Sequence, residues 1–157
     1  MNYHVESAAA MKQFGEAIGR AVQGGEILEL IGDVGAGKTT LTKGIAIGMG
    51  IIDDVQSPTF TISRLYQADR ELSLAHYDFY RLSDAGIMAI ELAEALDNPR
   101  GVTIIEWGEI VKGVLPADRV TMRIEADGED ARLVTMTAHG DASRALLKTL
   151  KLRGFGA

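Results

Sequence analysis

The sequence predicts an α/β domain with a largely parallel central sheet flanked by helices and carrying some antiparallel strands, and three observations support this. A short apolar run at residues 26–31 leads into a glycine-rich segment and then a helix-compatible stretch from Lys38 to about Gly48. A second buried-type run at residues 102–105 follows another helical pattern and ends at Glu106. Strands alternating with helices in this way form sheets covered on their faces. Near the end, Val120, Met122 and Ile124, then Val134 and Met136, alternate with polar neighbours as a strand pair does.

The elements follow in order. Ser7 is a candidate N-cap for a helix in which Met11, Phe14, Ile18, Ala21 and Val22 recur at helical spacing, and Gly24-Gly25 ends it. Ile27, Leu28, Leu30 and Ile31 suit a buried strand. After Ser57-Pro58, residues 59–66 are rich in Thr, Ile and aromatics and read as a strand. Asp69-Arg70-Glu71 reads as a turn, with residues 72–77 as the return strand. Ser83-Asp84 opens a second helix whose apolar side is Ile87, Ile90, Leu92, Ala95 and Leu96, stopping near Asn98-Pro99. Asp141 is a candidate cap for a last helix carrying Leu146, Leu147 and Leu150.

The chain of 157 residues suits one domain spanning residues 1–157. A net charge of -6 argues against general or direct sequence-specific nucleic-acid binding, which needs Lys and Arg to neutralise phosphates. No cysteine is present, so disulfides and thiolate metal sites are excluded. The N-terminal residues lack the basic and apolar regions of a signal peptide, and no run approaches the ~20 apolar residues that span a bilayer. These features predict a soluble cytoplasmic protein away from membranes.

Gly32, four further residues, then Gly37-Lys38-Thr39 match the phosphate-binding P-loop in full. Glycines let the backbone curl with its N–H groups turned inward, and those donors with the following helix N-terminus make an anion site. Gly35, Ala36, Gly37, Lys38, Thr39 and Thr40 are therefore the candidate ATP/ADP-binding residues. Lys38 supplies a charge for the β- and γ-phosphates, and the Thr39 hydroxyl is a hard oxygen ligand for Mg2+. The order strand, glycine loop, helix is that of a P-loop NTPase fold.

Four separated segments together resemble the TsaE family, ATPases of bacterial tRNA threonylcarbamoyladenosine biosynthesis. They are the loop from Gly32 to Thr40, Ser57-Pro58-Thr59-Phe60, the run from His76 to Leu82, and Ile105-Glu106-Trp107 with Glu109 just beyond. The resemblance covers nearly the whole chain, with Val34 where Leu is usual and Gly108 where Pro is usual. It implies protein partners related to TsaD and TsaB, and an ATPase subunit that does not itself transfer the threonylcarbamoyl group. Glu106, at a strand end beside the loop, is a candidate for supporting Mg2+; Asp is commoner there in P-loop folds, and the alternative is a solvated charge. Asp78 sits among aromatics where Asp disfavours strand interiors. It is a candidate for orienting or deprotonating the attacking water, against pairing with Arg81 or capping the next helix. With Lys38 these two acids make the candidate catalytic set.

The resemblance places the segment at Ser57-Pro58-Thr59 near the γ-phosphate, where Thr59 would sense it. Trp107, the single tryptophan, is a buried aromatic or, beside Glu106, a reporter of nucleotide binding. Glu109 reads as a helix-start charge. Arg64, Arg81 and Arg132 are candidates for charge stabilisation, and nothing in the sequence selects one. His4, His76 and His139 show no metal spacing and read as structural. A small-molecule kinase would need an arginine-rich lid, and a GTPase switch commonly uses an Asn-Lys-x-Asp segment; neither is present. The ATPase is expected to be weak alone and stimulated by its partners, because no arginine or lid is committed to the γ-phosphate.

Overall fold

Four apolar side chains without an intervening Gly or Pro make β2, Ile27–Ile31, able to bury both faces, and it sits in the middle of the sheet. The computed structural model describes residues 1–58 and 61–156. Its strands are β1 Asn2–Val5, β2, β3 Ser63–Gln67, β4 Ser73–Asp78, β5 Gly101–Glu106, β6 Val120–Ala126 and β7 Arg132–Ala138. The helices are α1 Ala8–Ala21, α2 Lys38–Gly48, α3 Gly86–Leu96 and α4 Asp141–Leu152, with one 3-10 turn at Gly108–Val111. The strand order is β1-β7-β6-β2-β5-β4-β3. The four inner strands, β6, β2, β5 and β4, run parallel, while β1, β7 and β3 pair antiparallel at the two sides. This is the α/β sheet with antiparallel additions that the sequence predicts.

Strand alternation sends one set of side chains to each face. On one face Leu28, Leu30, Leu74, Val102 and Ile104 meet Phe14 and Ile18 of α1, Leu41 and Ile45 of α2, and Leu146 and Leu150 of α4. On the other, Ile27, Ala75, Tyr77 and Ile105 meet Leu92 of α3 and Val111. Each fully buried Leu, Ile or Phe contributes roughly 1.5–3 kcal/mol of transfer free energy. The register pairs Leu30 with Glu106, and Glu106 with Asp78. Both acids thus end their strands at the carboxyl edge of the parallel sheet, where open α/β sheets bind ligands.

Ser7 caps α1 as expected, accepting from the Ala10 N–H at 3.1 Å. Helices α1 and α2 meet backbone to backbone through Gly15 and Gly19 on one and Gly44 and Gly48 on the other. A Cβ at Gly44 would lie 2.2 Å from the Lys12 carbonyl oxygen, and one at Gly15 2.4 Å from that of Leu41.

Several expectations change. The Asp141 carboxylate does not cap α4; Gly140 is the N-cap, and Asp118 accepts from the N–H groups of Ala142 (2.9 Å) and Ser143 (3.0 Å). Helix α3 starts at Gly86 without a side-chain cap, so Ser83-Asp84 does not open it. Its apolar side is not all buried: Leu92 is covered, while Ile87 and Ile90 are 80% and 65% exposed. Met88, Leu92, Ala95 and Leu96 pack toward the sheet, while Ile87 and Ile90 face away. Strand β1 was not expected; its pairing with β7 is non-local and only Val5 is buried. The expected strand at residues 59–66 begins at Ser63, and Thr59 and Phe60 lie outside the described residues. No described helix is long and apolar enough to cross a membrane.

Candidate active site

The chain leaves β2 at Ile31 and turns at once, with the Ala36 N–H bonded to the Asp33 carbonyl at 3.0 Å. Gly37 has φ 111°, a left-handed conformation that a side chain would strain, and it lets α2 begin at Lys38. The Leu41 N–H returns to the Gly37 carbonyl, leaving the N–H groups at the start of α2 directed toward the loop's mouth. Lys38 is buried, and its ammonium donates to the carbonyls of Gly32 and Asp33, the latter at 2.9 Å. The same ammonium lies 5.2 Å from the centre of the Trp107 ring.

A cavity of about 320 Å³ opens in front of this loop. Gly35, Gly37, Lys38, Thr39 and Thr40 form one side, Asp78 and Glu106 the floor, and Tyr80, Trp107, Val34 and Ser57 the rest. Of the residues expected to bind phosphate, Ala36 alone does not line it. Ala36 lines two neighbouring cavities instead, and the Arg132 Nε donates to its carbonyl at 3.2 Å.

Asp78 and Glu106 are both buried. Asp78 accepts from the Tyr80 N–H at 3.0 Å, so it caps the turn after β4 while also lining the cavity. Glu106 and His76 are hydrogen-bonded at 2.6 Å, Oε2 to Nε2. Trp107 takes φ 56°, ψ 47°, which swings its ring out over the loop against Tyr80, centroids 4.9 Å apart. It is therefore 38% exposed and lines the cavity, rather than being buried in the sheet. Among the described residues lining the cavity, Lys38 is the only cation. Arg64 lines a separate groove with Glu91 and Glu94, and Glu109 is an exposed charge beside Lys112.

On the opposite face, Arg119 and Glu29 form a mostly buried ion pair at 2.7 Å. In the groove near Arg64, burial first, then the carboxylates of Glu91 and Glu94, push the Tyr77 hydroxyl up to about 12. His4 and His139 lie on the β1–β7 side, pairing with Asp127 and Thr121. His76 is the site residue that sequence reasoning set aside. Its spacing of two from Asp78 on one strand was the available signal, since i and i+2 share a face.

The family model for threonylcarbamoyl adenosine biosynthesis protein TsaE matches residues 5–134. A tRNA threonylcarbamoyladenosine biosynthesis protein TsaE from Bacillus subtilis is 42% identical over 126 residues, covering 80% of this chain and 78% of the relative. Its counterpart in Treponema pallidum is 39% identical over 124 residues, covering 78% and 90%. The crystal structure of Bacillus subtilis YdiB superposes with a TM-score of 0.82 at 32% identity, covering 98% of this chain and 95% of that one. The chain belongs to the TsaE family.

Proposed function

We propose that this protein is a Mg2+-dependent ATPase subunit that supports threonylcarbamoyladenosine modification of tRNA together with TsaD- and TsaB-like partners. The observation that carries the reading is the meeting of Lys38, Thr39, Asp78 and Glu106 in one cavity at the mouth of a complete P-loop. The donor set suits Mg2+. Thr39 and Glu106 offer hard oxygens, and no group of three or more His, Cys, Asp or Glu residues able to hold a metal occurs among the described residues. Mg2+ is bound in this way by one or two protein oxygens plus substrate phosphates and water, not by an all-protein cage.

The roles follow from position. Loop N–H groups and Lys38 hold the β- and γ-phosphates, Thr39 ligates the cation, and Glu106 holds it or its water. Mg2+, when bound with ATP, neutralises charge on the phosphate oxygens. Asp78 orients the attacking water and accepts its proton as the oxygen bonds to the γ-phosphorus and the β–γ bridging bond breaks, releasing ADP and phosphate. A second cavity, lined by Ser7, Ala8, Met11, Thr40 and Arg132, shares Gly35, Gly37 and Thr40 with the first. Neither Asp78 nor Glu106 lines it, which suits the nucleoside.

Lys38 as the cavity's sole cation among the described residues fits a slow enzyme that waits for a partner. P-loop proteins gain about three to five decades in rate from one supplied positive charge. Steady-state phosphate release from ATP, without an added acceptor and with TsaD and TsaB proteins of the same source titrated in, tests the reading. Mg2+-dependent release that rises with the partners supports it; a fast rate that ignores them rejects the partner-activated form.

A further inference from the structure

We infer that His76 is a positioning residue for Glu106, holding Oε2 through a fixed Nε2–H so that the remaining carboxylate oxygen serves the cation. The inference rests on the metal-dependent reading above. P-loop folds commonly place Asp at this strand end. Glu adds one more rotatable bond, so a carboxylate on that longer arm needs a tether to present one oxygen reproducibly. His76 is fully buried on β4 two residues before Asp78, and Asp78 stands opposite Glu106 in the register. Its ring therefore shares a face with both acids, directly behind them.

Both partners are buried, His76 completely and the Glu106 side chain to all but 4%. The 2.6 Å separation is short for a nitrogen–oxygen pair, as bonds to a carboxylate are. Against a Glu106 carboxylate that serves a cation, a proton on Nε2 makes this contact attractive, whereas a bare Nε2 would face the carboxylate lone pair to lone pair. The other ring nitrogen, Nδ1, is buried with no partner among the described residues. A proton there would be a buried, unpaired donor, whereas a bare lone pair is the smaller cost. The tautomer with its proton on Nε2 satisfies both conditions. A purely packing role accounts for neither nitrogen: an apolar side chain would fill the strand position without stranding Nδ1. Ligands to metals are held in this way by outer partners that fix their orientation.

The test begins with the wild-type protein. A nitrogen–proton correlation spectrum of the histidine rings is expected to show Nε2 of His76 protonated and slowly exchanging, Nδ1 bare, and both signals displaced in Glu106→Gln. Next, Mg2+ is titrated into the ADP complex while Trp107 fluorescence is followed. His76→Leu is expected to raise the Mg2+ concentration at half-saturation about tenfold while metal-free ADP affinity stays within about twofold. His76→Gln, whose amide N–H can replace Nε2–H, is expected to recover most of that loss. A proton on Nδ1, or His76→Leu binding Mg2+ like the wild type, would overturn the inference. If His76→Leu does not fold, the wild-type spectrum and His76→Gln decide the matter, and a Gln variant with the full loss overturns it. A wild-type protein that shows no Mg2+ dependence removes the metal-dependent reading itself. Mg2+ dependence with an indifferent His76→Leu removes only the tether.

Discussion

The ammonium of Lys38 lies 5.2 Å from the centre of the Trp107 ring, so the cation of the phosphate loop is covered by the chain's single tryptophan. Any anion drawn to Lys38 changes the charge next to that indole. Lys38→Ala is expected to weaken ADP binding at least tenfold, about 1.4 kcal/mol, and to remove hydrolysis. A Trp107 fluorescence titration with ADP measures it, and unchanged affinity would detach the loop from nucleotide binding.

Glu106→Gln and Thr39→Ala are expected to lower Mg2+-dependent turnover more than ADP affinity. Charge beside the cation matters most as phosphoryl charge redistributes in the transition state. A fall of two decades in kcat corresponds to about 2.7 kcal/mol. Phosphate release across a Mg2+ titration checks this, and a Glu106→Gln enzyme with the wild-type rate would reduce Glu106 to a buried structural acid.

Asp78 has two jobs in the proposed scheme, capping the turn through the Tyr80 N–H and handling water in the cavity. Asp78→Asn keeps an acceptor oxygen for the cap while losing the charge. It is expected to abolish partner-stimulated hydrolysis and leave both ADP affinity and thermal stability close to the wild type. Loss of stability without loss of stimulated rate would assign Asp78 to the turn alone.

The glycine seam between α1 and α2 predicts a stability effect. A methyl group at Gly44 must displace backbone, since its Cβ would stand 2.2 Å from the Lys12 oxygen. Overpacking of this kind costs about 1–3 kcal/mol, more than the roughly 1 kcal/mol that Ala gains over Gly within a helix. Gly44→Ala is therefore expected to lower Tm by several degrees in a thermal melt. Gly113→Ala, where an added Cβ meets nothing within 4 Å, is the control and should leave Tm unchanged.

Asp118 gives a pH dependence with a definite sign. Hydrogen bonding from Ser143, side chain first and then backbone, with the Ala142 N–H, holds its carboxyl below the ordinary 3.8. A folded-state value below the unfolded one stabilises the protein above pH 3.8, and that contribution disappears as pH falls through the lower folded value. Asp118→Asn should melt earlier than the wild type at neutral pH, with the gap closing as pH falls below 3.8.

Elements with local signals were legible in the sequence: the Ser7 cap, the Gly24-Gly25 stop and the loop from Gly32 to Lys38 all depend on neighbours in the chain. What depended on distant partners was not. β1 exists because Asn2–Val5 finds β7, more than a hundred residues away. The capping acid for α4 lies outside the helix, at Asp118, so a search near Asp141 could not find it. Helical periodicity gives α3 an apolar side but not which part of it the sheet covers, and Ile87 and Ile90 on that side are exposed. The contact of His76 with Glu106 spans 30 positions and needs β4 beside β5, an adjacency that strand patterns alone leave open.

The backbone seam of Gly15 and Gly19 against Gly44 and Gly48 makes α1 and α2 a single stiff piece. The glycine loop at the head of α2 and the residues at the head of α1 that line the second cavity are therefore mounted on one closely packed pair of helices. A nucleotide spanning both cavities would find its two ends held at a preset distance. In the proposed scheme any adjustment between ADP and ATP would then fall to the opposite wall of the cavity, around Ser57, Tyr80 and Trp107.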